Sequence, residues 1–185
     1  MYTLETLKKY CLNCKKCPLH ATRTNVVFGE GNPNATIMFI GEGPGYNEDI
    51  QGRPFVGAAG QLLDKMLNAI NLKREEVYIA NIVKCRPPNN RNPLYEEAKS
   101  CIEYLRWQVK LVDPKIIVCL GAVAAQNIIS QDFKITRDRG KWVELGKFHV
   151  MPTYHPAALL RDENKKRPAW EDFKNIKKKY EELKA

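Results

Sequence analysis

Four cysteines, set as Cys14-x-x-Cys17, Cys85 and Cys101, constrain this chain more than any other feature. A Cys-x-x-Cys pair puts two sulfurs within reach of one metal centre. Two further thiolates from the middle of the chain would complete a four-cysteine site. Such a site ties the N-terminal segment to the centre of the fold. The spacing narrows its contents to zinc or an iron–sulfur cluster without choosing between them. Cys11 precedes Cys14 by the same step that separates Cys14 from Cys17, so two overlapping pairs exist.

The surroundings of each cysteine differ. Cys85 follows Val77-Tyr78-Ile79-Ala80-Asn81-Ile82-Val83, a run rich in β-branched residues that reads as a strand. Cys101 lies in a helical stretch opened by Asn92-Pro93 and followed by Glu96-Glu97. Cys119, inside Ile116-Ile117-Val118-Cys119-Leu120, reads as a small buried strand residue. The alternative for the remaining cysteines is free thiols or disulfides. The opening Met1-Tyr2-Thr3-Leu4-Glu5 leads into a lysine pair with no apolar core, so no secretory signal is expected and an intracellular, reducing setting favours a metal or cluster.

At 185 residues the chain suits one domain, residues 1–185, with a sizeable core. No apolar run approaches the ~18 residues needed to cross a membrane. Thirty Lys plus Arg against twenty-one Asp plus Glu give a net charge of +9. That excess points to a polyanionic partner, nucleic acid first and an anionic membrane surface second. Part of it sits in Lys174-Asn175-Ile176-Lys177-Lys178-Lys179, where a solvated helix face accounts for it.

Strand-like runs occur at Thr36–Ile40, Val77–Val83, Ile116–Leu120 and Phe148–Thr153. Helical patterns lie between them at about Ala58–Asn71, Tyr95–Val112 and Ala122–Ser130, with a last helix from about Ala169 to Lys184. Leu62, Leu63, Met66, Leu67 and Ile70 recur at helical steps and make one apolar face. This alternation predicts an α/β fold, a parallel sheet with helices on both sides. Ligands in such folds sit beyond the carboxyl ends of the strands, so the residues there should carry the chemistry.

Those residues are distinctive in three of the four cases. The first strand is followed by Gly41-Glu42-Gly43-Pro44-Gly45-Tyr46-Asn47-Glu48-Asp49. This is a tight turn whose amides can approach a ligand, but its three carboxylates and its spacing exclude a phosphate loop. Asn81 sits near the end of the second strand, followed by Lys84-Cys85-Arg86-Pro87-Pro88-Asn89-Asn90-Arg91. The fourth leads into Tyr154-His155-Pro156-Ala157-Ala158-Leu159-Leu160-Arg161. The third ends in Gly121-Ala122, which reads as packing.

Four motifs together resemble those of the family-4 uracil-DNA glycosylases: Gly41-Glu42-Gly43-Pro44-Gly45, Gly52-Arg53-Pro54-Phe55-Val56-Gly57, Asn81-Ile82-Val83-Lys84-Cys85-Arg86-Pro87-Pro88 and His155-Pro156-Ala157. The likeness runs from about Cys14 to Arg161. It implies a three-layer α/β/α sandwich around a four-stranded parallel sheet, and a thermophilic source that the Lys- and Glu-rich composition also suggests. It further implies a [4Fe-4S] cluster on Cys14, Cys17, Cys85 and Cys101, with Cys11 and Cys119 left over.

The resemblance also implies roles for single residues. A glycosylase takes its base out of the stack, so a rigid pocket selects it. Phe55 would stack on the extruded uracil. Asn81 would donate to O4 and accept from N3–H, a pattern that cytosine reverses. His155, neutral, would donate to O2 and stabilise the departing anion. Gly41 and Gly43 would belong to the uracil site. Better-known uracil glycosylases carry an aspartate where this turn has Gly43, so Glu42 becomes the leading candidate to activate water, with Asp49 behind it. The tyrosine that blocks the thymine methyl group in those relatives is missing too, and Glu48 or a neighbour would form that wall.

For DNA, the resemblance implies phosphate contacts from Arg86 and Arg91 with Lys84. It also implies a wedge built of Leu159, Leu160 and Arg161 that fills the space left by the flipped nucleotide. The expected protein is a monofunctional glycosylase that leaves an abasic site, acts as a monomer inside the cell with the chromosome, and has a sliding clamp as a candidate partner. Two alternatives stand beside it: a glycosylase of different base range, and a non-enzymatic iron–sulfur protein that binds nucleic acid. The last would not need Glu42, Phe55, Asn81 and His155 together.

Overall fold

The computed structural model describes residues 2–184; Met1 and Ala185, which bound the expected domain, lie outside the described residues. In chain order the elements are α1 (Leu4–Leu12), β1 (Glu30–Gly31), β2 (Ile37–Gly41), α2 (Tyr46–Gln51), α3 (Ala58–Ala69), β3 (Tyr78–Asn81), α4 (Tyr95–Val112), β4 (Ile116–Leu120), α5 (Ala122–Ile128), α6 (Ile135–Asp138), β5 (Val143–Leu145), β6 (Phe148–Thr153), α7 (Pro156–Arg161) and α8 (Lys166–Lys184).

The sheet has six strands in the order β1-β3-β2-β4-β6-β5. The inner four are parallel, as the sequence predicts, and β1 and β5 add antiparallel edges. The edges escape sequence reading because they are two and three residues long and carry no apolar run. β2, β3 and β4 are buried at every position, the signature of strands covered on both faces.

Period-two alternation splits the core in two. Met38, Ile40, Tyr78, Ala80, Ile117 and Cys119 face one layer, which includes Leu105 of α4 and Ala124 of α5. Ile37, Phe39, Ile79, Ile116, Val118 and Leu120 face the other, against Leu63 and Leu67 of α3 and Phe173 and Ile176 of α8. The three-layer expectation is met by this arrangement.

Helix ends follow local chemistry. Glu97 accepts from the Leu94 amide at 2.8 Å, closing the first turn of α4, and Asp113 ends it in the left-handed region at φ 54°. α8 begins at Lys166, three residues before the sequence-based boundary, because Pro168 falls in the first turn, where a missing amide N–H costs nothing.

Candidate active site

Strand register gathers the site. Gly41 pairs with Asn81 at the carboxyl ends of β2 and β3, and Leu120 pairs with Thr153 at the ends of β4 and β6. Glu42 follows β2, and His155 caps α7 two residues beyond β6. Phe55 arrives from the loop between α2 and α3. Glu42, Gly43, Phe55, Asn81 and His155 line a single cavity of about 320 Å³. Gly41 packs directly against two of these side chains: a Cβ there would lie 2.6 Å from both Asn81 Oδ1 and Phe55 Cζ. At Gly43 a Cβ would meet Val83 Cγ2 at 2.6 Å, so this turn has no room for an aspartate without a shift.

The polar groups are poised for a ligand. Asn81 is 2% exposed, and its Oδ1 accepts no hydrogen bond within the protein. A buried acceptor left unpaired costs about 1–3 kcal/mol, a cost that a ligand N–H removes. His155 Nδ1 accepts from the Ala157 amide at 3.0 Å. That bond fixes the tautomer, leaving the proton of the neutral ring on Nε2. Burial, followed by the nearby Arg161, lowers the His155 pKa to about 4, so the ring is neutral at physiological pH. Burial raises the Glu42 pKa, partly offset by Arg161, which makes this carboxylate a stronger base than an exposed one.

Neighbours hold these groups in place. Glu48 accepts from the amides of Gly45 at 3.1 Å, Val56 at 2.8 Å and Gly57 at 2.6 Å, bracing the glycine turn against the Phe55 loop as a fixed wall of the cavity. Its carboxylate therefore ties two loops together, a role the sequence alone did not suggest. Lys84 is also placed differently from its expectation. Instead of meeting phosphate it is 1% exposed, and its Nζ donates to the Asn81 carbonyl at 2.9 Å and to Gln108 Oε1 at 2.6 Å.

Three further expectations need correction. Asp49 does not reach the cavity: it is 3% exposed and its Oδ1 accepts from the amides of Thr24 and Asn25, so it cannot also activate water there. Leu159 packs into the core at 2% exposure, because α7 turns that face inward; only Leu160, at 49%, and Arg161 remain to serve as a wedge. Arg91 lines the cavity, but two of its nitrogens are engaged by Glu97 at 2.8 and 3.0 Å. Arg86 is held at the rim, its guanidinium 5.4 Å from the Tyr46 ring and its Nε donating to Asn90 Oδ1 at 2.7 Å.

Cys11, Cys14, Cys17, Cys85 and Cys101 line a second, smaller cavity beside the basic loop, while Cys119 is buried in the sheet. Arg23 Nη1 donates to Cys85 Sγ at 3.4 Å, and the Lys84 amide to Cys101 Sγ at 3.3 Å. Among the described residues no three His, Cys, Asp or Glu side chains meet closely enough to hold one metal ion. No described helix is long and apolar enough to cross a membrane.

The family model for the uracil DNA glycosylase superfamily matches residues 28–174. A type-4 uracil-DNA glycosylase of Archaeoglobus fulgidus is 47% identical over 184 residues, covering 95% of this chain and 92% of the relative. The enzyme of the same name from Sulfurisphaera tokodaii is 50% identical, covering 96% of this chain and 84% of its own length. That of Thermotoga maritima is 45% identical, with 96% of each chain covered. A type-5 enzyme of Pyrobaculum aerophilum is more distant, at 32% identity over 70% of this chain. This chain therefore belongs to the uracil-DNA glycosylase superfamily, with the type-4 enzymes.

Proposed function

We propose that this protein is a monofunctional uracil-DNA glycosylase. The observation that carries the reading is the pairing, in one cavity, of the orphaned Asn81 Oδ1 with a histidine whose neutral Nε2–H is free to donate. Uracil swings out of the duplex and lies against the Phe55 ring. Asn81 Oδ1 accepts from N3–H and Nδ2 donates to O4. Cytosine offers a lone pair at N3 and a donor at N4, so it leaves both amide atoms opposed. As the bond between C1′ and N1 breaks, its electron pair leaves with uracil. The His155 Nε2–H stabilises the charge that develops at O2, a contact whose loss costs about 10²- to 10³-fold. Glu42 takes a proton from the water that attacks C1′. Free uracil and an abasic site result, with no phosphodiester cut. Arg86 and Arg161 at the rim would meet phosphate, and Leu160 would fill the vacated stack.

Cys14, Cys17, Cys85 and Cys101 would hold a [4Fe-4S] cluster. These four cysteines line one cavity and together offer the all-thiolate donor set that such a cluster takes. The N–H donors on Cys85 and Cys101 suit bound thiolates. Once bound, the cluster supplies a brace between the N-terminal segment and the Lys84–Arg91 loop, not a redox step. The expected setting is inside the cell, with the chromosome, as a monomer; a sliding clamp is a candidate partner.

Matched oligonucleotides with uracil or thymine at one position, treated with the protein and then with alkali, test the activity. Strand cleavage of the uracil substrate alone, dependent on alkali, is expected. No cleavage by folded, brown protein at any temperature up to unfolding overturns the reading in favour of a binding protein. Cleavage without alkali overturns the monofunctional assignment.

A further inference from the structure

Phe55 adopts a left-handed backbone conformation, φ 51°, that an aromatic residue holds only when its surroundings impose it. The source is visible. Arg74, on the turn between α3 and β3, donates from Nη1 to the Phe55 carbonyl at 2.8 Å and from Nη2 to the Pro54 carbonyl. Consecutive carbonyls thus point at one guanidinium. The Phe55 carbonyl is also turned into the start of α3, where a Cβ on Gly60 would lie 1.9 Å from it.

Arg74 is itself anchored. Its Nη1 donates to Asp64 Oδ1 at 3.1 Å and its Nη2 to Glu30 Oε1 at 2.9 Å. Glu30 is held in turn by a two-pronged contact from Arg53, at 3.0 and 2.9 Å. The Arg74 side chain is 17% exposed, well shielded compared with the 53% of Arg53. On the far side of Phe55, Glu48 fixes the Val56 and Gly57 amides. The ring is thus carried on a backbone whose Pro54 and Phe55 carbonyls are gripped by a cation and whose following Val56 and Gly57 amides are gripped by an anion.

We propose that Arg74 is a positioning residue for base stacking, acting through the backbone of residues 54–55 to set the plane of the Phe55 ring. The proposal rests on the reading that Phe55 stacks the extruded uracil. Among the described residues that Arg74 hydrogen-bonds, Phe55 alone lines the cavity, and it is reached through its backbone carbonyl, so the influence of Arg74 on excision should vanish when the ring is removed.

Single-turnover uracil excision by the wild type, Arg74→Ala, Phe55→Ala and the double variant tests this. Arg74→Ala is expected to slow excision about 10- to 100-fold, the size of effect that a small misplacement brings. In the Phe55→Ala background the same change should cost less than about twofold, because the two act as one unit. A merely structural role would instead slow both backgrounds equally, and that result overturns the proposal, as does an Arg74→Ala rate equal to wild type. A Phe55→Ala rate equal to wild type overturns the stacking reading itself, and the proposal with it. Should Arg74→Ala fail to fold, Asp64→Asn, which loosens Arg74 without removing it, carries the same cycle with a smaller expected loss.

Discussion

The rings of Phe55 and His155 stack with centroids 5.4 Å apart and planes inclined by 27°. Two stacking gaps of about 3.5 Å each would not fit between them, so a base cannot be sandwiched there. An extruded uracil must lie beside this pair, against the part of Phe55 that lines the cavity, with its amide edge toward Asn81. The neighbouring Gly41 permits this: Gly41→Ala would drive a methyl group into Phe55 and Asn81 together. We expect Gly41→Ala to fold but to lose uracil excision at least 10-fold, with the loss in KM as well as kcat; single-turnover kinetics over a range of enzyme concentration would reveal it.

Asn81 gives a sharper outcome. Its Oδ1 has no internal partner, so Asn81→Leu should leave the melting temperature within a few degrees of wild type. Excision should fall by roughly 10²- to 10³-fold, the scale of a buried polar readout lost. A parallel collapse of stability, measured by thermal melting, would show that the amide serves the fold instead.

The pH profile separates Glu42 from His155. A histidine with its pKa lowered to about 4 is neutral at any pH well above that value, so no limb is expected near its ordinary 6.5. Glu42 must be ionised to take a proton, and its pKa is raised. Excision should therefore fall as pH drops through a value above the usual carboxylate range. Glu42→Gln should slow the reaction and remove that limb; a limb near 6.5 that survives Glu42→Gln would contradict the lowered pKa of His155.

Leu159 and Leu160 are adjacent yet should behave oppositely. Leu159→Ala empties a core position and is expected to cost about 2–5 kcal/mol of stability by denaturant unfolding. Leu160→Ala should leave stability nearly unchanged and weaken excision from duplex DNA more than from single strands, because only the duplex has a stack to refill.

Removing cysteines should sort them by role. Cys85→Ala or Cys101→Ala should abolish the broad absorption near ~400 nm of a cluster and lower the melting point. Cys119→Ala should keep the colour and lose only packing, since that thiol is buried in β4. Colourless wild-type protein, prepared anaerobically with iron and sulfide, would overturn the cluster.

The sequence by itself determined the α/β class, the four parallel strands and the gathering of Glu42, Asn81 and His155 at one sheet end. It could do so because strand periodicity and the strand-end rule depend on local pattern and chain order alone. Tertiary structure decided what each group is free to do. Asp49 and Lys84 looked like site residues in their segments, but Thr24, Asn25 and Gln108 come from elsewhere in the chain and occupy them. Arg74 carries no motif, and only folding brings it to the Phe55 carbonyl. Which polar atoms are already satisfied, and which remain for a ligand, depends on contacts between distant segments. No local pattern encodes that.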